Sequence, residues 1–514
     1  MRFDSFAQML AHHAETGPDA PALRYDDKTL SFSELKHAVD ARAAMLRAEG
    51  KTCLGLLCDG SLDSVIELFA ANLAGLQLVM LDASLDTNTL RTLIRYTDVD
   101  TLWGEEDLKE DLELALMGGV KNGAGRILFF TSGTTSLSKI VMLSQWNISY
   151  NTLNMCDVEP FWPTDTTIML LPYHHTFGSG GQWVMLASGI RTVYCDGLKY
   201  LQKNLKEYGV TFFVGVPLLV EAMYSKIMKT AEKEGLTGRI NTFSKVVRNL
   251  NKIHIDIRRN VFKSVLDALG GKLRFIIIGA SAADPKVVQA FNDFGVFCIQ
   301  GYGLTETSPV LIAEQPGYQR LGSIGVPMKG VEIDLVDKDE NGVGEIIARA
   351  ENVMKGYLND PEATAAVIKD GWFYTGDLAY RDKDGFYFIT GRKKNVIVLH
   401  NGKNVSPEEL ESMVDKFPYQ LENIVLGVPN NGDEKDPVIT LKLVYDPNHE
   451  MLAGKSREEI EAIVNADVDK LNDSVQLYKR IKRVYITDEP MEKTSTGKVK
   501  KYIELEKILA AEQK

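Results

Sequence analysis

Residues 129–139 read FFTSGTTSLSK. An apolar run, Ile127-Leu128-Phe129-Phe130, ends in Thr131, Ser132, Gly133, Thr134, Thr135 and Ser136, and Lys139 closes the stretch. Hydroxyls, backbone N–H groups and a lysine can together wrap a phosphate. A Ser/Thr-rich surface loop has the same composition, and the stretch does not match the G-x-x-x-x-G-K-[ST] P-loop. In Gln300-Gly301-Tyr302-Gly303-Leu304-Thr305-Glu306-Thr307, glycines allow close backbone approach to a flat ligand while the tyrosine stacks on it. Glu306 is then a candidate Mg²⁺ ligand, because Mg²⁺ takes one or two carboxylates plus substrate phosphates; an isolated Gly-Tyr-Gly otherwise reads as a tight turn. Asp377, in Tyr374-Thr-Gly-Asp377, can accept two hydrogen bonds from vicinal hydroxyls, or serve as a turn aspartate. Arg392 and Lys394, in Gly391-Arg-Lys-Lys394, can hold phosphate or ribose, or form a solvated basic turn. Lys498, in Lys493-Thr-Ser-Thr-Gly-Lys498, is a point charge on a small, hydroxyl-rich stretch, able to reach a phosphate or to sit exposed near the C-terminus. His174 and His175 follow a strand end, where a pocket or a packing role is open to either.

Short apolar runs must position these groups. Runs at 52–57, 167–171, 193–195, 211–216 and 273–278 alternate with amphipathic segments such as 61–74 and 285–293. That alternation predicts an α/β fold of layered sheets. The run 273–278 leads into Gly279-Ala280-Ser281, a small-residue loop at the carboxyl end of a strand, where open α/β sheets gather ligands. From about 320 the texture changes to Gly- and Asp-rich turns with short strands at 331–336, 345–347 and 386–389, which predicts a β-rich subdomain over about 320–393. Beyond 394 a smaller α+β unit is expected, with helices over Pro407–Val414 and 456–471. The chain thus divides into 1–393 and 394–514.

The 514 residues exceed one compact core. Apolar and charged contents of 45% and 25% are those of ordinary globular proteins. A net charge of −12 argues against general nucleic-acid binding. Cys53, Cys58, Cys156, Cys195 and Cys298 lack metal-site spacing and read as reduced thiols. The start, MRFDSFAQMLAHHAE, lacks the apolar core of a signal peptide, and no run approaches a membrane span. A cytoplasmic protein is expected. Between 226 and 263, ten Lys and Arg face three acids. A solvated helical face is the favoured reading; acidic headgroups, giving peripheral membrane contact, CoA phosphates or an acidic carrier protein are the others.

In order and spacing, these stretches resemble the adenylate-forming superfamily of acyl-CoA synthetases, non-ribosomal peptide adenylation domains and beetle luciferase. The resemblance rests on 131–139, Leu171-Pro-x-x-His175, Gly301-Tyr-Gly-Leu-Thr-Glu306, Tyr374-Thr-Gly-Asp377, Gly391-Arg-x-Lys394 and Thr496-Gly-Lys498, and spans essentially the whole chain. It implies two steps. A carboxylate attacks the α-phosphate of Mg·ATP, giving acyl-AMP and pyrophosphate, and a thiol of CoA or of a carrier-borne phosphopantetheine then displaces AMP. It further implies that 131–139 holds the β- and γ-phosphates and that Gly279, Ala280 and Ser281 line the adenine pocket. Tyr302 would stack on adenine, Thr305 would contact the α-phosphate and Glu306 would hold Mg²⁺. Asp377 and Arg392 would hold ribose, and His175 would line the carboxylate site. Lys498 would bridge the two reacting anions. A small C-terminal domain would swing about Lys394, withdrawing Lys498 and bringing the loop at Gly402 to the site. The segment 258–274 is most similar to long-chain fatty acyl-CoA ligases.

The sequence departs from the superfamily pattern at Ser136 and Ser138, where glycine and proline are usual, and at Asn401 of Asn401-Gly402. Serine enters positive φ reluctantly, so an altered phosphate loop is expected. Ser179 stands where some long-chain enzymes carry a gating tryptophan. The leading expectation is a ligase joining a medium- or long-chain fatty acid to CoA. Acyl-carrier-protein ligation, an aryl, bile or amino acid substrate, and a non-catalytic nucleotide sensor are the alternatives.

Overall fold

A computed structural model of the protein describes residue 3 and residues 5–25, 27–58, 60–104, 126–131, 139–400, 403–430, 433–493 and 499–512. The apolar runs form strands whose ends differ by a residue or two: Cys53–Leu57, Thr166–Met169, Arg191–Tyr194, Phe212–Gly215 and Phe275–Ile278. Phe212–Gly215 is buried along its whole length, as a strand covered by helices on both faces must be. Phe275–Ile278 pairs parallel with it, residue for residue, and with Phe297–Gln300 on the other side.

All of these but Cys53–Leu57 lie in a nine-stranded sheet that runs from Val326–Pro327 at one edge to the hairpin of Pro21–Tyr25 and Lys28–Ser31 at the other. A second, six-stranded sheet orders Gly356–Tyr357, Ile140–Ser144, Arg126–Phe130, Gln77–Leu81, Cys53–Leu57 and Thr101–Trp103. Helices with local stop and start signals separate the strands. Leu62–Ala74 begins at the Ser61 cap and ends at Gly75 in the left-handed region, which only glycine enters without cost. Trp183, 1% exposed, stacks on Phe6 at 4.9 Å and meets Phe129 edge-on, tying the first helix to the second sheet.

The predicted β-rich region is a five-stranded antiparallel sheet of Glu332–Val336, Gly344–Arg349, Trp372–Arg381, Ile368–Lys369 and Tyr387–Arg392. Residues beyond 394 form a two-stranded ribbon and a three-stranded sheet. Two helices cover the latter, Pro407–Val414 and Arg457–Asp473, the second opened by a Ser456–Glu459 capping box. The apolar clusters of this region draw no residue from before Ile397. Its main pair, Gln420–Asn430 with Asp433–Tyr445, was not foreseen: Glu422 and Asn423 interrupt the first strand and Pro437 the second, so neither reads as a plain alternation.

One buried ion pair clamps the amino-terminal ends of the parallel strands in the nine-stranded sheet. Asp165, 2% exposed, accepts from Arg274 through both carboxylate oxygens. It also accepts from the Thr211 hydroxyl at 2.7 Å and the Trp162 N–H at 2.7 Å. The guanidinium lies 3.9 Å from the Trp162 ring centroid. Asp165→Ala leaves Arg274 without its carboxylate, and breaking such a pair costs about 3–5 kcal/mol. Calorimetry should show the Tm lowered by roughly 3–6 °C.

Candidate active site

The stretch 129–139 is a hairpin connection. Arg126–Phe130 pairs antiparallel with Ile140–Ser144, Phe130 opposite Ile140, and the Thr131 N–H donates to the Lys139 carbonyl at 3.0 Å. Ser132, Gly133, Thr134 and Thr135 lie outside the described residues, as do Gly402 and Lys498. Lys139 is placed by the strand it opens: its ammonium sits 4.5 Å from the centroid of the Tyr357 ring. Tyr357 reaches that position because Gly356–Tyr357 adds as an edge strand to Ile140–Ser144, Tyr357 opposite Val141. Its hydroxyl donates to Glu306 Oε1 at 2.8 Å. Burial and the Glu306 charge both push the phenol pKa up, so it stays a donor.

Gly301-Tyr302-Gly303 is no tight turn. It continues the strand Phe297–Gly303, leaving its parallel neighbour and pairing antiparallel with Val310–Ala313. A Cβ on Gly303 would lie 1.7 Å from the Pro309 carbonyl oxygen, so only glycine fits. Thr305 and Glu306 follow in a short 3₁₀ turn, Thr305–Thr307. Asn352, fully buried, fixes that turn by donating to the Thr307 carbonyl at 2.6 Å and the Val310 carbonyl at 2.9 Å. Sequence reasoning missed Asn352 and Tyr357. The only available signals were a tyrosine in a glycine-bounded strand and an asparagine among apolar residues.

The Tyr302 hydroxyl donates to Asp377 Oδ2 at 2.8 Å, and Arg392 Nε lies 2.7 Å from Asp377 Oδ1. Strand register brings the pair together, since Asp377 sits opposite Arg392 on neighbouring strands. Burial and Asp377 raise the Tyr302 pKa. For Arg392 burial acts downward, but Asp377 and then Tyr302 and Glu306 hold the guanidinium pKa up. Lys394, beyond Arg392, has its pKa lowered by desolvation, by Arg392 and by Lys139. Lys394 therefore feels both Arg392 and Lys139, and Arg392 feels both Asp377 and Glu306. Like charges held this close are stabilised by an anion placed among them.

The 279–281 loop and the histidines follow the carboxyl ends of two strands of the large sheet, Phe275–Ile278 and Thr166–Met169. A Cβ on Gly279 would meet the Phe177 ring at 2.6 Å. Ala280 has φ of 71°, a left-handed conformation costly for a residue with a Cβ, and Ser281 is exposed. His175 occupies the N-cap of helix Thr176–Ser188, and its carbonyl accepts from the fully buried Ser179 hydroxyl at 3.1 Å. His174 packs 4.1 Å from the His175 ring and lies 3.4 Å from Asp82; burial lowers its pKa against the pull of that carboxylate. Among the described residues no group of three His, Cys, Asp or Glu is gathered for a metal, and no helix is long and apolar enough to cross a membrane. A single carboxylate, Glu306, fits a Mg²⁺ ion carried in on phosphates and not one held by the protein alone.

The model for AMP-binding enzymes matches residues 10–123 and 120–358, and that for the C-terminal domain of AMP-binding enzymes matches 394–507. The chain belongs to the AMP-binding enzyme family. A long-chain-fatty-acid–CoA ligase 5 of Rattus norvegicus is 29% identical over 395 residues, 71% of this chain and 57% of that protein. The chain therefore spans little more than half of that relative. An indoleacetate–CoA ligase of Aromatoleum aromaticum is 25% identical over 96% of both chains. The Bacillus subtilis o-succinylbenzoate coenzyme A synthetase in complex with ATP and magnesium ion shares the fold at a TM-score of 0.74 and 22% identity, covering 96% of this chain and 98% of that one.

In this AMP-binding enzyme, Gly303→Ala should force the Thr305–Thr307 turn away from Pro309 at a cost of about 1–3 kcal/mol. The expected outcome is a lowered Tm together with weakened AMP binding, read by calorimetry and titration. Unchanged AMP binding would show that the turn's position is immaterial to the site.

Proposed function

We propose that the protein is an AMP-forming acid–thiol ligase whose substrates are ATP, a carboxylic acid and CoA. The observation that carries this reading is the cluster just described: Lys139, Arg392 and Lys394 around Glu306 and Asp377, at the end of the strand bearing Tyr302. Bringing a carboxylate to a triphosphate sets two anions against each other, and fixed cations lower that barrier. A carboxylate oxygen of the acid forms a bond to the α-phosphorus while the bond to pyrophosphate breaks. In the second step the thiol sulfur bonds to the acyl carbon, AMP leaves and the thiol proton is released.

Each residue has a role in this scheme. Lys139 and the hydroxyls of 131–135 neutralise the outgoing pyrophosphate, and Thr305 donates to the α-phosphate. Tyr302 and the 279–281 loop enclose the adenine. Asp377 exchanges its internal partners for ribose hydroxyls while Arg392 stays beside it. Glu306, oriented by Tyr357, would hold Mg²⁺, which supplies charge neutralisation on the phosphates. His175 borders the acid. Lys498 bridges the reactants in the first step, and a rotation about Lys394 between 1–393 and 394–514 replaces it with the loop at Gly402 for the second.

The preferred acid is a medium- or long-chain fatty acid, as in the resemblance of 258–274 and the named activity of the rat relative. An aryl acid is the second reading, favoured by the end-to-end match with the indoleacetate ligase. Transfer to a carrier-protein thiol in place of CoA is the remaining variant.

Pyrophosphate release with Mg·ATP across fatty and aryl acids, with and without CoA, decides among these. Release driven by fatty acids, with acyl-CoA formed when CoA is added, is expected. Lys498→Ala should abolish that release yet spare thioester formation from preformed acyl-AMP; equal loss of both would contradict the bridging role. Tyr357→Phe keeps the ring beneath Lys139 but removes a hydrogen bond to a carboxylate, a contact worth about 1.5–3 kcal/mol. It should raise the Mg·ATP KM about tenfold in steady-state assays.

A further inference from the structure

The 279–281 loop marks the carboxyl ends of the parallel strands in the large sheet. The opposite, amino-terminal ends open onto a cleft of about 690 Å³. Four cations line it, Arg191, Arg259, Lys272 and Arg274, against one carboxylate, Asp165. Arg191 opens the strand Arg191–Tyr194, and Lys272 and Arg274 lead into Phe275–Ile278. At 3.3 Å per residue, Gly279 at the far end of that strand is about 16 Å from Arg274. A small ligand in the cleft therefore does not reach the 279–281 loop.

The four cations are not equally partnered. Arg274 is held by Asp165. Arg259 donates to the carbonyls of Leu273 at 2.8 Å, Gly295 at 3.0 Å and Gly271 at 3.2 Å, acceptors without net charge. Lys272 leans over the Gly209 turn, its ammonium 3.2 Å from where a Cβ there would stand, and makes no ion pair among the described residues. Arg191 is the anomaly, because its Nε is buried and has no hydrogen-bond partner. Burial, and then the charge of Arg24, lower its pKa. A guanidinium that is desolvated, lacks an acceptor and sits beside a like charge destabilises the empty protein. Carbonyls at helix ends attract cations. That accounts for Arg259, which reaches carbonyls, and leaves Arg191 unexplained.

We propose that this cleft is a second binding site, which takes a small phosphate-bearing anion. The phosphate meets the Arg191 fork and the Lys272 ammonium and gives the buried Nε its missing acceptor, while Arg259 adds to the field. Charge selects the ligand. A monocarboxylate would answer one of the three cations that Asp165 leaves over. A phosphate dianion answers two and presents three oxygens to the donors. An extended polyanion would also meet the acidic remainder of a chain of net charge −12, which a small anion does not. The inference does not depend on the proposed reaction.

Trp162 lies against the Arg274 guanidinium at this cleft and is 58% exposed, so its emission reports occupancy. Inorganic phosphate, pyrophosphate, glucose 6-phosphate and acetate are titrated into the full chain by fluorescence and calorimetry. The phosphate probes should bind and acetate should not. A stronger response to phosphate or pyrophosphate identifies a free anion, and a stronger response to the sugar phosphate identifies a phosphorylated metabolite. Arg191→Gln and Lys272→Gln should each weaken binding about tenfold or more, whereas Lys139→Ala should leave inorganic phosphate binding in place. In Trp162→Phe the emission change should vanish while the heat remains. Phosphate-free Arg191→Gln should unfold at the temperature of the parent or above it. No binding of any phosphate probe, equal binding of acetate, or binding abolished by Lys139→Ala and untouched by Arg191→Gln would overturn the proposal. So would an Arg191→Gln protein that unfolds below the parent yet binds phosphate as tightly.

Discussion

Two phenols hold two carboxylates, and the charge balance of the site depends on them. Tyr302 donates to Asp377 and Tyr357 donates to Glu306, each at 2.8 Å. The four residues come from three regions of the chain, and burial raises the pKa of each tyrosine, which keeps it a donor. Asp377 divides its two oxygens between Tyr302 and the Arg392 guanidinium, while Glu306 takes its hydrogen bond from Tyr357. The phenols thus fix where the negative charge sits without adding to it.

Backbone pairing makes this arrangement possible. The strand that carries Tyr302 changes partner midway, from parallel within the large sheet to antiparallel beyond Gln300. That change projects the 301–307 segment past the end of the parallel layer. A two-residue edge strand, Gly356–Tyr357, then joins the second sheet, and the Met354 N–H donates to the Glu306 carbonyl at 2.8 Å. The antiparallel sheet supplies Asp377 and Arg392 in register. Three sheets therefore each contribute one wall.

The layered α/β architecture was legible because buried parallel strands leave continuous apolar runs, as in Phe275–Ile278, whatever their partners. Glu306, Asp377, Arg392 and Lys139 were legible as chemistry because each sits in a distinctive local motif. Tyr357 and Asn352 were not. Their functions exist only through pairing across long separations, and Asn352 carries no local mark beyond being polar. The Gly-Tyr-Gly segment was open to a turn reading for the same reason, since antiparallel partnership with Val310–Ala313 is not written in three residues. Near 243–255, charge composition was readable from sequence, but whether the apolar residues faced inward or outward needed the packing.

The hairpin that frames the 131–139 stretch has a further consequence. Its base is closed by hydrogen bonds between Thr131 and Lys139, and both strands are locked into a buried ladder. The register of the sheet is thus settled before the intervening residues are specified. The pairing at the base is carried by the flanking residues, so a change of residue type at Ser136 or Ser138 is expected to meet the ligand before it meets the fold.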